Sequence, residues 1–141
     1  MHEGSLAYST AVTLIEIAKS NNLTRVREVE IIVGELAMID EEIFMFWLKN
    51  MLKGSIYENS NIKLIRGEAK FKCNNCGNIW KLSEVKDEII KELCGELKDC
   101  DTPIHYLPAI AQTYMKCPKC NSRDFEIQEG ETILIGRIIG E

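Results

Sequence analysis

Nowhere does the 141-residue chain offer the roughly 18 consecutive apolar residues of a membrane span. Its N-terminus, Met1-His2-Glu3-Gly4, lacks the basic stretch followed by an apolar one that marks a secretory signal. A basic excess is missing too: 17 Lys and Arg stand against 22 Asp and Glu, a net charge of −5. That balance argues against broad nucleic-acid binding, which rests on a basic surface. No GxxxxGK(S/T) loop is present, so the chain is not itself a P-loop nucleotide hydrolase. Histidine is scarce, with only His2 and His105. Low-complexity runs are absent, as are internal repeats beyond a duplicated CxxC knuckle. What remains is a soluble, cytosolic globular chain. Its 45% hydrophobic and 28% charged residues are ordinary for that class. The length suits one compact domain, or one domain with a small module attached.

Cysteine is plentiful by contrast. Cys73, Cys76, Cys94, Cys100, Cys117 and Cys120 occur without a secretion signal, so metal binding outranks disulfides. Cys73-Asn-Asn-Cys76 and Cys117-Pro-Lys-Cys120 form two knuckles. Two residues between thiols let a tight turn aim both sulfurs at one ion, and two knuckles supply the four thiolates of a closed tetrahedral zinc site. Four thiolates and Zn²⁺ carry −2, and Lys70, Lys72, Lys81, Lys116, Lys119 and Arg123 lie near enough in sequence to balance it. Such a closed site has no open coordination position, so it is structural, folding a module too small for its own core. Cys94 and Cys100, with five residues between them, do not have ligand spacing and read as free thiols.

The periodicity places helices at 6–19, 41–53 and 84–98 and strands at 25–35, 62–72, 125–128 and 132–139. Ser5, Asp40 and Ser83 are the expected N-caps, with Gly54 at the left-handed end of the second helix. The first helix presents Tyr8, Ala11, Val12, Ile15 and Ala18; the second presents Ile43, Phe44, Trp47, Leu48 and Met51. Gly34 is expected at a bulge, and Glu129-Gly130-Glu131 in a hairpin turn. The fold class is α+β: two helices packed on a small, mainly antiparallel sheet, with an inserted zinc-ribbon-like module. Residues 1–68 plus 124–141 form one domain, and 69–123 a zinc-binding one.

His2 has a chelating option that an internal histidine lacks. The α-amine, the His2 amide nitrogen and the imidazole close adjacent rings around one ion, with the Glu3 amide in reach. Such a nitrogen-rich, tetragonal set suits Ni²⁺ or Cu²⁺. From residue chemistry alone, an accidental histidine in a frayed terminus is the alternative.

The ordered set Met1-His2-Glu3, an amphipathic helix, Val33-Gly34-Glu35-Leu36 and paired CxxC knuckles resembles the HypA family of nickel metallochaperones, over nearly the whole chain. The resemblance implies a nickel-binding α/β domain and a zinc domain, with nickel at His2 and Glu3, and Zn(II) at Cys73, Cys76, Cys117 and Cys120. An acid after the Val-Gly-Glu segment, here Asp40, is implied at the nickel as well, although helix capping explains it equally. The 40-residue spacer between knuckles is longer than in bacterial members, as in archaeal-looking versions. It holds His105, a candidate further nickel ligand. The implied function is a carrier, not an enzyme, delivering Ni(II) in nickel–iron hydrogenase maturation. The implied partners are a HypB-type GTPase and the hydrogenase large-subunit precursor. Two other readings stay open: a zinc-ribbon module binding protein or nucleic acid, and a redox protein using Cys94 and Cys100.

Overall fold

The computed structural model describes residues 2–95 and 113–141. Its elements are α1 (Glu3–Ser20), β1 (Val26–Gly34), α2 (Glu41–Met51), β2 (Asn61–Gly67), β3 (Lys70–Cys73), β4 (Ile79–Lys81), α3 (Leu82–Cys94), β5 (Phe125–Glu129) and β6 (Ile133–Gly140). They form two three-stranded sheets, ordered β2-β1-β6 and β4-β3-β5. The chain divides into two compact units. One comprises 1–33, 39–65 and 133–141, the other 34–38 and 66–132.

In the first unit, α1 buries Ala7, Ala11, Leu14 and Ala18. This four-three-four spacing is a narrow seam of mostly small side chains, which lets another helix approach closely. Phe44 and Leu48 of α2 fill the space with Val29 and Ile31 of β1. The buried Tyr57 hydroxyl donates to the Leu14 carbonyl. The expected face of α1 is therefore rotated: Ala11 and Ala18 are buried, while Tyr8 is exposed. On α2, Phe44 and Leu48 point inward, but Ile43 and Trp47 point out. Asp40 caps α2 as expected, its Oδ1 accepting from the Ile43 amide at 3.1 Å. Ser5 does not cap α1. It lies inside the helix and donates its hydroxyl to the His2 carbonyl at 3.1 Å.

β6 pairs antiparallel with β1, Glu30 opposite Arg137 and Ile31 opposite Ile135, which leaves Gly136 as the extra residue of a bulge. A second irregularity lies at Arg27, between Val26 and Glu28. Gly34 is not the bulge. A Cβ there would lie 2.3 Å from the Gly130 carbonyl oxygen and 2.7 Å from that of Thr132, so Gly34 is required by close backbone approach.

The stretch expected as one strand at 62–72 is two, β2 and β3, in different sheets. It breaks at Glu68-Ala69, where the Ala69 amide donates to Glu35 Oε1 at 3.1 Å. Nor do 125–128 and 132–139 pair as a hairpin: β5 joins β3, while β6 joins β1. Gly130, with φ of 97°, turns the chain between them. The cysteine-bearing unit also has a core of its own, contrary to expectation. Phe71, Trp80, Leu82, Val85, Ile89 and Met115 are buried there, with Leu36 among them. α3 makes this core, since Val85 and Ile89 supply its inner face. The helix starts one residue after Lys81 rather than at Ser83, and Gly95, with φ of 59°, ends it. Phe71 and Trp80 stack at 5.9 Å and Phe125 meets both edge-on. Among the described residues no helix is long and apolar enough to cross a membrane.

Two substitutions test this packing by urea unfolding of the zinc-loaded protein. Phe71→Ala costs about 3–5 kcal/mol, the usual loss for a buried aromatic ring. Gly34→Ala costs about 1–3 kcal/mol, because its methyl meets backbone that cannot rotate away. A midpoint unchanged by Gly34→Ala would contradict the close approach at that position.

Candidate metal centres

The four knuckle cysteines converge. Their sulfurs lie within 4.8 Å of one another, with Cys73 Sγ 3.5 Å from Cys120 Sγ and Cys76 Sγ 3.6 Å from Cys117 Sγ. A tetrahedral ion with bonds of about 2.3 Å separates its sulfurs by about 3.8 Å, so the cluster fits zinc with little adjustment. It is the one such metal-binding group among the described residues.

The two knuckles repeat one backbone design. The Cys73 amide donates to the Asn78 carbonyl at 2.8 Å, and the Gly77 amide to the Cys73 carbonyl at 3.0 Å. In the second, the Cys117 amide donates to Ser122 and the Asn121 amide to Cys117, both at 2.9 Å. Gly77 and Asn121 occupy the matching left-handed position, with φ of 77° and 62°. Asparagine is among the few side chains that accept it. Asn121 was missed in the sequence, although it follows Cys120 just as Gly77 follows Cys76. Missed also were two amide donors: Asn75 Nδ2 reaches Cys120 Sγ at 3.6 Å, and Asn78 Nδ2 reaches Cys117 Sγ at 3.8 Å. The Asn75 and Cys76 backbone amides both point at Cys73 Sγ, at 3.4 Å.

These dipoles point at the sulfurs, while three of the six expected cations are engaged elsewhere. Lys70 and Lys81 are instead engaged with Glu129 and Glu68, at 3.6 and 3.1 Å. Arg123 donates to the Thr113 carbonyl. Burial pushes the Cys117 thiol up, but the backbone amides of Cys120 and Lys119 and the neighbouring thiols outweigh it and hold it down to about 6. The Asn75 side chain and the Ser122 amide lower Cys120. For Cys76, the Asn78 amide pulls down, yet burial and three neighbouring thiols push it up to about 11.

The other expected metal site is the chain's beginning. His2 takes the N-cap position of α1 with no side-chain cap bond, and it is exposed. Its carbonyl accepts the Leu6 amide at 2.9 Å, which begins the helical ladder. Glu3 is buried, and its Oε1 accepts the Asp40 amide at 3.0 Å. The cationic chain terminus first, and then the Asp40 amide, hold the Glu3 carboxyl down to about 2. Glu3 and Asp40 are thus brought together, with the Asp40 side chain engaged as the α2 cap. His105 and Cys100, and the side chain of Cys94, lie outside the described residues.

The family model described as hydrogenase/urease nickel incorporation, metallochaperone, hypA, matches residues 1–139. The chain belongs to the HypA family. HypA relatives include the hydrogenase maturation factor HypA of Pyrococcus furiosus, 36% identical, with 100% of this chain and 96% of the relative covered. That of Thermococcus onnurineus is 38% identical, with 98% and 94% covered. The fold is similar to the solution structure of the Ni metallochaperone HypA from Helicobacter pylori, with a TM-score of 0.65, 19% identity, and 98% and 96% of the chains covered. HypA is a metallochaperone, so the chain is a carrier and not a catalyst.

Thiol protonation gives a test of the cluster. With Cys117 held at about 6 and Cys120 lowered, the metal-free chain at pH 7 already carries thiolate. Zinc binding at pH 7 then releases fewer than four protons, read by calorimetry in buffers of different ionisation enthalpy. Release of four would show that the cluster is not held together before metal arrives.

Proposed function

We propose that this chain carries Ni(II) for nickel–iron hydrogenase maturation, holding it at Met1-His2-Glu3, while Cys73, Cys76, Cys117 and Cys120 hold Zn(II) structurally. The observation that carries this reading is the position of His2. It sits exposed at the end of a helix whose next residue, Glu3, is tied to the Asp40 amide. The imidazole is not spent on capping, so it remains a donor beside the α-amine and amide nitrogens. Nitrogen donors of this kind suit Ni(II). Nickel belongs to the first unit and zinc to the second.

In this reading Glu3 acts largely through the hydrogen bond it accepts, and Asp40 through the backbone amide that donates it. His105 is a further nickel ligand on donor chemistry alone. Carriage requires release, and an exposed terminus with few donors permits a receiver's ligands to enter one at a time. A HypB-type GTPase would exchange nickel with the chain, and the hydrogenase large-subunit precursor would accept it. Phe71 and Trp80 are buried rather than displayed for base stacking, and Lys70 and Lys81 are paired with acids. Among the described residues these observations do not favour the nucleic-acid alternative.

The test is a nickel titration of the zinc-loaded protein beside His2→Ala, followed by calorimetry and absorption. The expected outcome is one Ni(II) per chain with zinc retained, binding lost in the variant, and affinity falling as pH falls because protons compete for the nitrogen donors. Nickel binding indifferent to His2 would overturn the proposal. An unchanged spectrum and affinity in His105→Ala would remove that residue from the site.

A further inference from the structure

The four cluster cysteines are not equivalent. Cys73 and Cys117 are buried, Cys120 is half-buried and Cys76 is exposed. The difference follows from the path of the chain. Cys73 and Cys117 belong to the buried core of Phe71 and Trp80, and Cys120 packs against it. Cys76 lies on the stretch 74–77, where all four residues are exposed. A Cβ on Gly77 would meet nothing within 4 Å, so open space borders Cys76 on that side.

The amide donors are unequal too. Cys73 Sγ faces the backbone amides of Asn75 and Cys76. Cys120 Sγ faces Asn75 Nδ2 and the Ser122 amide. Cys117 Sγ faces Asn78 Nδ2 and the amides of Cys120 and Lys119. For Cys76 Sγ the donor is the Asn78 backbone amide, and no side-chain amide reaches it among the described residues. An N–H directed at sulfur draws on the lone pair that an electrophile needs. Thiolate reactivity therefore follows exposure and retained charge. Both select Cys76.

We propose that Cys76 is a modification site for soft carbon electrophiles, the sulfur of the zinc cluster at which they react first. The proposal rests on the reading of the four cysteines as a zinc site. With iodoacetamide, a lone pair of Cys76 Sγ forms the bond to carbon, the carbon–iodine bond breaks, and iodide leaves with its electron pair. No proton moves and nothing is oxidised. The reaction needs no open coordination position, because the electrophile meets sulfur and not the ion. The product is a neutral thioether, a poorer metal ligand than the thiolate, so the cluster loses one negative charge and its hold on zinc.

The experiment is limited alkylation of the zinc-loaded full chain with iodoacetamide at neutral pH. Label at each cysteine is read by peptide mass spectrometry, and released zinc by a coloured chelator. Metal content and circular dichroism are measured first. Cys76 is expected to take label about tenfold faster than Cys73, Cys117 and Cys120. Its rate rises in proportion to iodoacetamide concentration, and zinc release tracks label at Cys76, whatever Cys94 and Cys100 take up. Asn75→Ala removes the side-chain donor from Cys120 and raises labelling there severalfold. Label arriving first at another cluster cysteine, or evenly at all four, overturns the proposal. So does a rate indifferent to iodoacetamide concentration, the mark of zinc leaving before sulfur reacts. Unchanged Cys120 labelling in Asn75→Ala overturns the part given to the amide donors. A chain that holds no zinc at the outset overturns the zinc reading itself, and the initial metal content tells that failure apart.

Discussion

Three passages of the chain, 34–36, 67–69 and 130–132, are bound to one another, and the rest of the fold depends on that knot. The Gly34 amide donates to Thr132 at 2.9 Å, the Glu35 amide to Gly67 at 2.8 Å and the Leu36 amide to Gly130 at 2.8 Å. The Glu35 carboxylate closes it on the Ala69 amide. Each passage is a place where the chain leaves one compact unit for the other. Pairing them satisfies backbone groups that would otherwise be stranded at three crossings. Glycine is needed at two points: a Cβ on Gly34 would meet Gly130, and one on Gly130 would lie 2.6 Å from the Ala69 Cα. Leu36 then enters the core that holds Phe71 and Trp80. The Val-Gly-Glu-Leu segment is thus an architectural motif, with each of its last three residues doing a separate job.

In the proposed function, zinc and nickel make opposite demands, and the chain would answer them with different backbone. Four thiolates lying within 4.8 Å must be neutralised and held, so each knuckle spends amides, a left-handed residue and an asparagine side chain on it. Nothing is left open for exchange. The proposed nickel end would draw on the His2 imidazole, the backbone nitrogens beside it and, at most, the His105 ring. Tight zinc and exchangeable nickel follow from how many protein groups are committed to each ion, with no need for a difference in intrinsic affinity.

What was legible in the sequence was local. The CxxC spacing, the Asp40 cap and the Gly54 turn depend on residues a few positions apart, and the structure has them. What depended on remote partners was not legible. The strand over 62–72 reads as unbroken because its interruption comes from Glu35 and Gly130, far along the chain. Residues 125–139 read as a hairpin because a turn signal does not say which sheet each arm joins. For α1 the periodicity gives Ala11 and Ala18 correctly but turns the face toward Tyr8, Val12 and Ile15 instead of Ala7 and Leu14, a rotation decided only once Phe44 and Leu48 arrive. In the cysteine unit Val85 and Ile89 read as one face of a helix, but that this face packs on Phe71 and Trp80 to make a core depends on remote partners.

The helix that bears His2 also explains how a terminal donor set can be exposed without being formless. A free chain end pays ordering entropy on every metal-binding event. Here α1 begins at Glu3, and Glu3 is fixed to the first residue before α2. The helix seam of Ala7, Ala11 and Leu14 then holds that end against a packed core. Most of the order required of the nitrogen donors is thereby supplied by folding, before any ion arrives. In the proposed site, the His2 imidazole is what the ion itself would arrange. Burial of Glu3, the one buried acid among the described residues, would in this reading be the structural cost of placing an exchangeable site on a fixed base.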